Sequence, residues 1–449
     1  MDAALDKMRR EGLSDVAVET FAHHYRRLAE GERGVIGEAE IEPLVDVPDL
    51  ERLPEAPRDA LERSVAIKLN GGLGTSMGMT GAKSLLAVKD GLTFLDLIVR
   101  QVLDLRRRAG ARLPLLLMNS FRTRDDTLAA LASYPELEVD LPLDFLQGKV
   151  PKLGAEDLGP VEWPSEPEHE WAPPGHGDVY STLLTSGLLD TLLERGYRTA
   201  FVSNSDNLGA VLEPRIAAWF ERENLPFAME VCDRTESDRK GGHPARRPQG
   251  LVLRETAQVR DEDRAAFEDV SRHRFFNTNN LWVSLPALSE ALERDGGVLE
   301  LPLIVNRKTV DPSDAASPEV VQLETAMGAA VGVFDGAQVL RVPRGRFVPV
   351  KTTNDLLLLR SDAYVLRDGA RVELAPERDG RAPLVELDPD HFKLVAELDS
   401  RFRHGPPSLV GCRRLAVRGD VNFGRDVVVR GTVELNGPCE VENGAVLEG

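Results

Sequence analysis

Through the middle of the chain, short apolar runs alternate with longer segments of mixed polarity. Val65–Leu69, Leu115–Met118, Ala200–Ser203 and Pro226–Val231 are compact runs rich in aliphatic residues, the length and make-up of buried strands. Phe94–Leu105 and Val179–Leu193 repeat their apolar positions at helical spacing, which predicts two amphipathic helices. Alternation of strands and helices predicts an α/β layer around a largely parallel sheet. Ligands of such sheets bind beyond the carboxyl ends of the strands, so segments directly after a strand are the first places to look for chemistry.

Both ends of the chain break this pattern. Between Met8 and Ala29, Leu13, Val16, Val18, Phe21 and Leu28 recur at helical spacing, and the proline-rich stretch from Pro43 to Pro57 reads as a linker. The tail has a period of six. One apolar series is Leu415, Val421, Val427, Val433, Cys439 and Ala445, and a second follows two residues behind at Val417, Phe423, Val429, Leu435, Val441 and Leu447. Glycines at 419, 431, 437 and 449 punctuate it. A hexapeptide period predicts a parallel β-helix rather than an antiparallel meander, because each coil stacks on the next.

Composition narrows the partners. The 449 residues carry 55 Lys and Arg against 74 Asp and Glu, a net charge of −19. That balance argues against general nucleic-acid binding, which needs a basic face, and means an anionic ligand must be held by a local cluster of cations. No apolar run approaches the roughly 20 residues of a membrane span, and Met1-Asp-Ala-Ala lacks a secretory layout. Cys232, Cys412 and Cys439 form no C-x-x-C pair, so neither a zinc site nor a disulfide framework is expected, and a cytoplasmic location is.

The densest chemistry follows the first strand. Leu69-Asn-Gly-Gly-Leu-Gly-Thr-Ser-Met-Gly-Met-Thr-Gly-Ala-Lys-Ser84 holds five glycines and a lysine. Glycines let a phosphate approach backbone N–H groups closely, and a lysine adds a point charge. Ala82 before Lys83 excludes a Walker A loop, and Met77 stands where a dinucleotide fingerprint needs its last glycine. Asp206, just past a strand in Asn204-Ser-Asp-Asn207, is either a Mg²⁺ ligand or a turn-capping carboxylate. His176, in Pro173-Pro-Gly-His-Gly-Asp178, is a directional donor or a structural loop histidine. The amides of Asn277-Thr-Asn-Asn280 suit either hydroxyl recognition or a capped turn. Arg341-Val-Pro-Arg-Gly-Arg-Phe-Val-Pro-Val-Lys351 is a candidate phosphate clamp, with a solvated charged face as the alternative. Glu324 in Gln322-Leu-Glu-Thr325 either accepts bonds from sugar hydroxyls or pairs with a lysine.

Taken in order, these runs resemble the eukaryotic-type UTP–glucose-1-phosphate uridylyltransferases (UDP-glucose pyrophosphorylases). The matching stretches are Lys68-Leu-Asn-Gly-Gly-Leu-Gly-Thr-Ser-Met-Gly78, Pro173–Asp178, Asn277-Thr-Asn-Asn-Leu-Trp282, Gln322–Thr325 and Val350-Lys-Thr-Thr353, and the likeness spans nearly the whole chain. It implies a Rossmann-like (GT-A-like) nucleotidyltransferase sheet domain over 64–365, a helical segment and linker over 1–63, and a left-handed parallel β-helix over 366–449. It also implies that Leu69, Asn70, Gly71 and Gly72 hold a uridine nucleotide through backbone groups, with Gln147 and Gly175 reading the uracil. His176, Asn204, Ser205, Asn279 and Glu324 would face the sugar phosphate, Asp206 would hold Mg²⁺, and Lys83 and Lys351 would act on the phosphates. The implied partners are UTP, glucose 1-phosphate, UDP-glucose and pyrophosphate, with neither nucleic acid nor membrane. Ser205 departs from the family, which often has an apolar residue there. The chain also stops at Gly449, whereas animal and fungal relatives continue and use that tail in end-to-end oligomers, so a homo-oligomer through the β-helix stays open. A wider sugar 1-phosphate range, a catalytically silent UDP-sugar binder and a β-helix scaffold are the alternative readings.

Overall fold

The computed structural model describes residues 1–449 apart from 33, 236, 237, 313 and 315. Its centre is a seven-stranded mixed sheet. The strands are β1 (Ser64–Asn70), β2 (Leu115–Asn119), β3 (Asp144–Leu146), β4 (Thr199–Asn204), β5 (Phe227–Asp233), β6 (Phe275–Ser284) and β7 (Gln338–Arg341), in the spatial order β7-β5-β6-β4-β1-β2-β3. Strands β3, β2, β1 and β4 are mutually parallel, and β7 is parallel to β5. Only β6 runs the other way, antiparallel to both β4 and β5. The carboxyl ends of six strands therefore share one edge, and the amino-terminal half of β6 reaches the same edge.

Every residue of β1 is buried, as expected of a strand covered on both faces. Val65, Ile67 and Leu69 face one apolar cluster and Ala66 the other, the alternation the pleat imposes. On the first side lie α4 (Val179–Thr185), α5 (Leu188–Glu194) and α6 (Leu285–Arg294). On the second lies α3 (Phe94–Ala109), and its cluster continues into the tail through Leu415, Val417 and Val421. Helix α3 extends four residues beyond its predicted end, to a left-handed Gly110. The single helix expected over Val179–Leu193 is two. Gly187 takes φ +73° between them, and its N–H bonds Leu184 O (2.9 Å) to end the first.

The amino-terminal segment forms two helices, α1 (Asp2–Arg10) and α2 (Asp15–Ala29), the second capped by the Ser14 hydroxyl on the Ala17 N–H (3.2 Å). They pack against Val150, Leu303, Val321 and Leu323. The proline-rich stretch is held along the body: Glu42 and Pro43 pair with Arg246 and Ala245, and Leu50 is buried. In the tail, strands pair in parallel with partners eighteen residues along, as in Leu415 with Val433, Phe423 with Val441 and Val429 with Leu447. Both hexapeptide series point inward except at Cys439, which is exposed. Among the described residues no helix is long and apolar enough to cross a membrane.

Leu415 is fully buried where the tail meets the central core. Leu415→Ala should cost about 2–5 kcal/mol of stability, seen as a lower midpoint in thermal unfolding followed by circular dichroism.

Candidate active site

The shared carboxyl edge brings distant segments together. After β1 the chain turns through Gly74 and Gly78, both at positive φ, and the Lys83 N–H closes the loop onto Gly72 O (3.0 Å). Strand β4 lies beside β1 with Asn204 opposite Leu69, and the Ser205 N–H donates to Leu69 O (3.1 Å). Asp206 thus emerges next to the glycine loop, and Lys83 Nζ donates to its Oδ2 at 2.7 Å. The segment after β7 leaves by the same edge, and the Val350 N–H donates to the Asp206 carbonyl (3.1 Å). Lys83, Asp206 and Lys351 are therefore neighbours in space.

The basic run does not act as one clamp. Arg341 pairs with Asp233 and Asp49, Arg344 with Asp238, and Arg346 with Glu230, so each guanidinium already has a carboxylate. Lys351 is exposed, lies 6.0 Å from the Phe347 ring centroid and has no ion pair among the described residues. Of the eleven-residue run, only Lys351 is left to meet a phosphate.

A second group gathers beside it. Gln147 follows β3, its N–H bonded to Asn119 O (2.7 Å), and its Nε2 donates to Gly175 O (2.9 Å). Gly175 sits at φ +81°, where a Cβ would run into the Thr325 carbonyl, so the approach requires glycine. A Cβ on Gly71 would lie 2.8 Å from Gln147 Oε1, whereas one on Gly72 would meet nothing within 4 Å. Leu69 is buried, and the Asn70 side chain turns inward to Asn119 Oδ1 (2.8 Å) and Thr127 Oγ1 (3.0 Å). From Leu69 to Gly72, backbone groups are what remain for a ligand.

His176 is half-buried, and its Nδ1 accepts the Met327 N–H (2.9 Å), which leaves Nε2–H as the ring's donor. Burial pushes its pKa down to about 4, with Lys351 reinforcing the shift and Glu324 opposing it. Asn279 takes φ +57° and exchanges two bonds with the Asn277 side chain (2.7 and 2.9 Å). Asn204 is half-buried and Ser205 buried at the end of β4. Glu324 pairs with Lys308 (3.4 Å), the bland alternative for that residue.

Asp206 is bonded to Lys83 and is not a turn cap. The one group of three potential metal ligands among the described residues, Glu166, His169 and Asp311, does not include it. A half-buried single carboxylate at a strand end suits a metal that keeps waters and takes its other ligands from phosphates.

Comparison with known proteins gives this geometry a family. Residues 18–430 match the family model described as UTP–glucose-1-phosphate uridylyltransferase. The chain belongs to that family. The uridylyltransferase of Solanum tuberosum is 43% identical over 400 residues, covering 88% of this chain and 82% of its own, and that of Saccharomyces cerevisiae is 41% identical over 395 residues, covering 86% and 77%. A UDP-glucose pyrophosphorylase variant from Leishmania major, solved in complex with UDP-glucose, superposes with a TM-score of 0.95 at 44% identity over 100% of this chain and 98% of its own. A Trypanosoma brucei UDP-glucose phosphorylase gives 0.94 at 44% identity, over 99% and 97%.

Within this uridylyltransferase, sequence reading missed several groups. Glu255 is bonded to Asn277 and influenced by Lys351, and burial holds its carboxyl above the usual range. It lies just past a strand without a motif, so nothing local marks it. Lys68, within the first motif, is buried and donates to Ser203 Oγ (2.8 Å) and Ala210 O (2.6 Å). Burial pushes its ammonium down to about 7. A lysine in an apolar run was the available signal.

His176 stays neutral down to about pH 4 when folded, whereas an unfolded histidine titrates near 6.5. The unfolded chain therefore binds more protons in that window, and stability should fall as pH drops from 6.5 towards 4. His24 and His243, also held neutral by burial, contribute in the same direction, so His176→Asn should make this slope shallower without abolishing it, measured as denaturant midpoints at pH 7, 6 and 5.

Proposed function

We propose that this uridylyltransferase makes UDP-glucose and pyrophosphate from UTP and glucose 1-phosphate by direct displacement, with Lys83 and Lys351 as the catalytic cations. A phosphate oxygen of the sugar attacks the α-phosphorus in line, and pyrophosphate leaves with the breaking P–O bond. The nucleophile is already an anion at neutral pH, so no general base is needed. Holding two polyanions together is the main obstacle, and positioning with charge neutralisation meets it. The observation that supports the reading is the Lys83–Asp206 contact at 2.7 Å together with the Val350 N–H on the Asp206 main-chain carbonyl (3.1 Å), which brings the segment of Lys351 to the loop of Asp206.

Lys83 neutralises the triphosphate from under the glycine loop, while Leu69, Asn70, Gly71 and Gly72 present backbone groups to the nucleotide. Gln147 and Gly175, joined by their hydrogen bond, form the base-reading wall. His176, Asn204, Ser205, Asn279 and Glu324 line the sugar-phosphate side, where the neutral His176 ring donates without adding charge. Glu255 joins them as an acceptor for sugar hydroxyls. Asp206 would hold Mg²⁺, which when bound neutralises phosphate charge. Lys351 donates to oxygens that gain charge at the α-phosphorus.

The Rossmann-like reading of the sheet is supported by the parallel β3-β2-β1-β4 order, and the left-handed β-helix reading of the tail by its eighteen-residue parallel register. The cytoplasmic reading rests on the number and spacing of Cys232, Cys412 and Cys439.

Incubation with UTP, Mg²⁺ and a panel of sugar 1-phosphates should release pyrophosphate fastest with glucose 1-phosphate. Comparable kcat/KM for galactose 1-phosphate or N-acetylglucosamine 1-phosphate would make the wider-range reading correct. Lys351→Ala should lower kcat by about 10²–10³, the scale of one lost transition-state donor. Full kcat in that variant would remove Lys351 from the mechanism.

A further inference from the structure

Lys351 comes from a segment without regular structure, and the loop carrying Asp206 has none either. One side chain joins them. Asn207 is 2% exposed and uses its whole amide. Its Oδ1 accepts the N–H groups of Val348 (2.8 Å) and Gly209 (3.2 Å). Its Nδ2 donates to Asn280 Oδ1 (3.1 Å) and to the Arg346 carbonyl (3.3 Å). The two backbone donors and the backbone acceptor fix which end of the amide faces which way. Two of these four bonds reach the 346–348 stretch, one returns into the 204–211 loop and one anchors on β6.

We infer that Asn207 is a positioning residue for uridylyl transfer: it sets Lys351 against Asp206 by tying the loop of one to the segment of the other. This rests on the reading of Lys351 as the donor at the α-phosphorus. The tie is itself held from below. Asn280 Nδ2 donates to Glu230 Oε2 (3.0 Å) and to the Arg346 carbonyl (3.2 Å), and Arg346 is locked on Glu230 by two bonds of 2.7 and 2.5 Å. The Val350 N–H on Asp206 O completes a short antiparallel contact, with Asn207 opposite Pro349. No other amino acid supplies two acceptor and two donor sites in this space. Aspartate would set a carboxylate oxygen against two carbonyl-type acceptors, and serine would keep at most part of the tie. Asn207 itself touches neither phosphate-facing lysine, so its effect passes through the backbone.

A residue needed only for folding and a residue that positions Lys351 differ in a double-mutant cycle. Asn207→Ser, Lys351→Ala and the double variant are compared as full chains by pyrophosphate release at saturating substrates, with KM for UTP and thermal midpoints recorded. Misplacement of a catalytic group by about 1 Å can cost 10²-fold, so Asn207→Ser should lower kcat about 10- to 10²-fold. KM for UTP should stay within about threefold, since a lost transition-state interaction acts on kcat. In the Lys351→Ala background the same substitution should change kcat by less than about twofold, because the group it positions is gone. An equal loss in both backgrounds, or unchanged kcat in the single Asn207 variant, overturns the inference while leaving Lys351 in place. Unchanged kcat in Lys351→Ala overturns the reading of Lys351 and the inference with it. If Asn207→Ser does not fold, Asn280→Ser, which removes one of the four partners, goes through the same cycle and is held to the same outcomes.

Discussion

The ion pair between Glu230 and Arg346 underlies the whole edge of the sheet. Glu230 is sealed from water and Arg346 nearly so, and the guanidinium meets the carboxylate by two parallel bonds. Burying two charges is costly, and their attraction offsets the cost only when every remaining polar site is matched. Here the match is complete around the carboxylate: the Trp282 indole donates to Oε1 (2.9 Å) and Asn280 to Oε2 (3.0 Å). The third arm of the guanidinium takes the Val211 carbonyl (2.8 Å). Removing one partner would leave the other charged and buried, a loss of about 3–5 kcal/mol. Through this pair and the Asn280 bond to the Arg346 carbonyl, an irregular stretch of chain is tied to β5 and β6.

The same economy governs charge at the surface of the site. A chain of net charge −19 that handles polyanions cannot rely on its overall field. Its arginines near the site neutralise structural carboxylates, and its histidine is held uncharged by burial. On the proposed reading the cations offered to phosphate are Lys83, which shares Asp206, and Lys351, each on a segment whose backbone is tied to its neighbours. Lysine suits this role because its charge is compact and its stem long, whereas the planar arginine fork is better matched to fixed carboxylate partners.

Much of the architecture was legible in the pattern of residues. Four apolar runs became strands of one sheet, and the glycine loop followed the first of them. The departures have local causes. Gly187 divides a helix that periodicity read as continuous, because periodicity averages over a residue that takes φ +73°. Cys439 holds an inward-facing place in the six-residue pattern yet is exposed, since the apolar count cannot tell that the cluster thins towards the last coil. The run from Arg341 to Lys351 read as one basic patch because its carboxylates, Asp49, Glu230, Asp233 and Asp238, lie far away in sequence. Asn70 read as offering its backbone to a ligand, and its side chain is engaged with Asn119 and Thr127. Glu255 and Asn207 carried no signal of their own, because what distinguishes them is the set of groups they meet.

By itself the sequence determined the family, the strand-and-loop grammar and which residue types were available for phosphate chemistry, since these depend on local propensity and on motifs only a few residues long. Tertiary structure decided which of those residues meet one another at the strand ends and which are already partnered elsewhere. Partners differ along the chain: Arg341, Arg344 and Arg346 each meet carboxylates, Lys83 meets Asp206 at the strand ends, and Lys351 has no ion pair among the described residues. Parallel pairing of β1 with β4 brought residues 83 and 206 together, and an antiparallel contact between Asn207 and Pro349 brought the segment of residue 351 to the same loop, a proximity set by sheet order and hydrogen-bond register, which no short stretch of chain encodes.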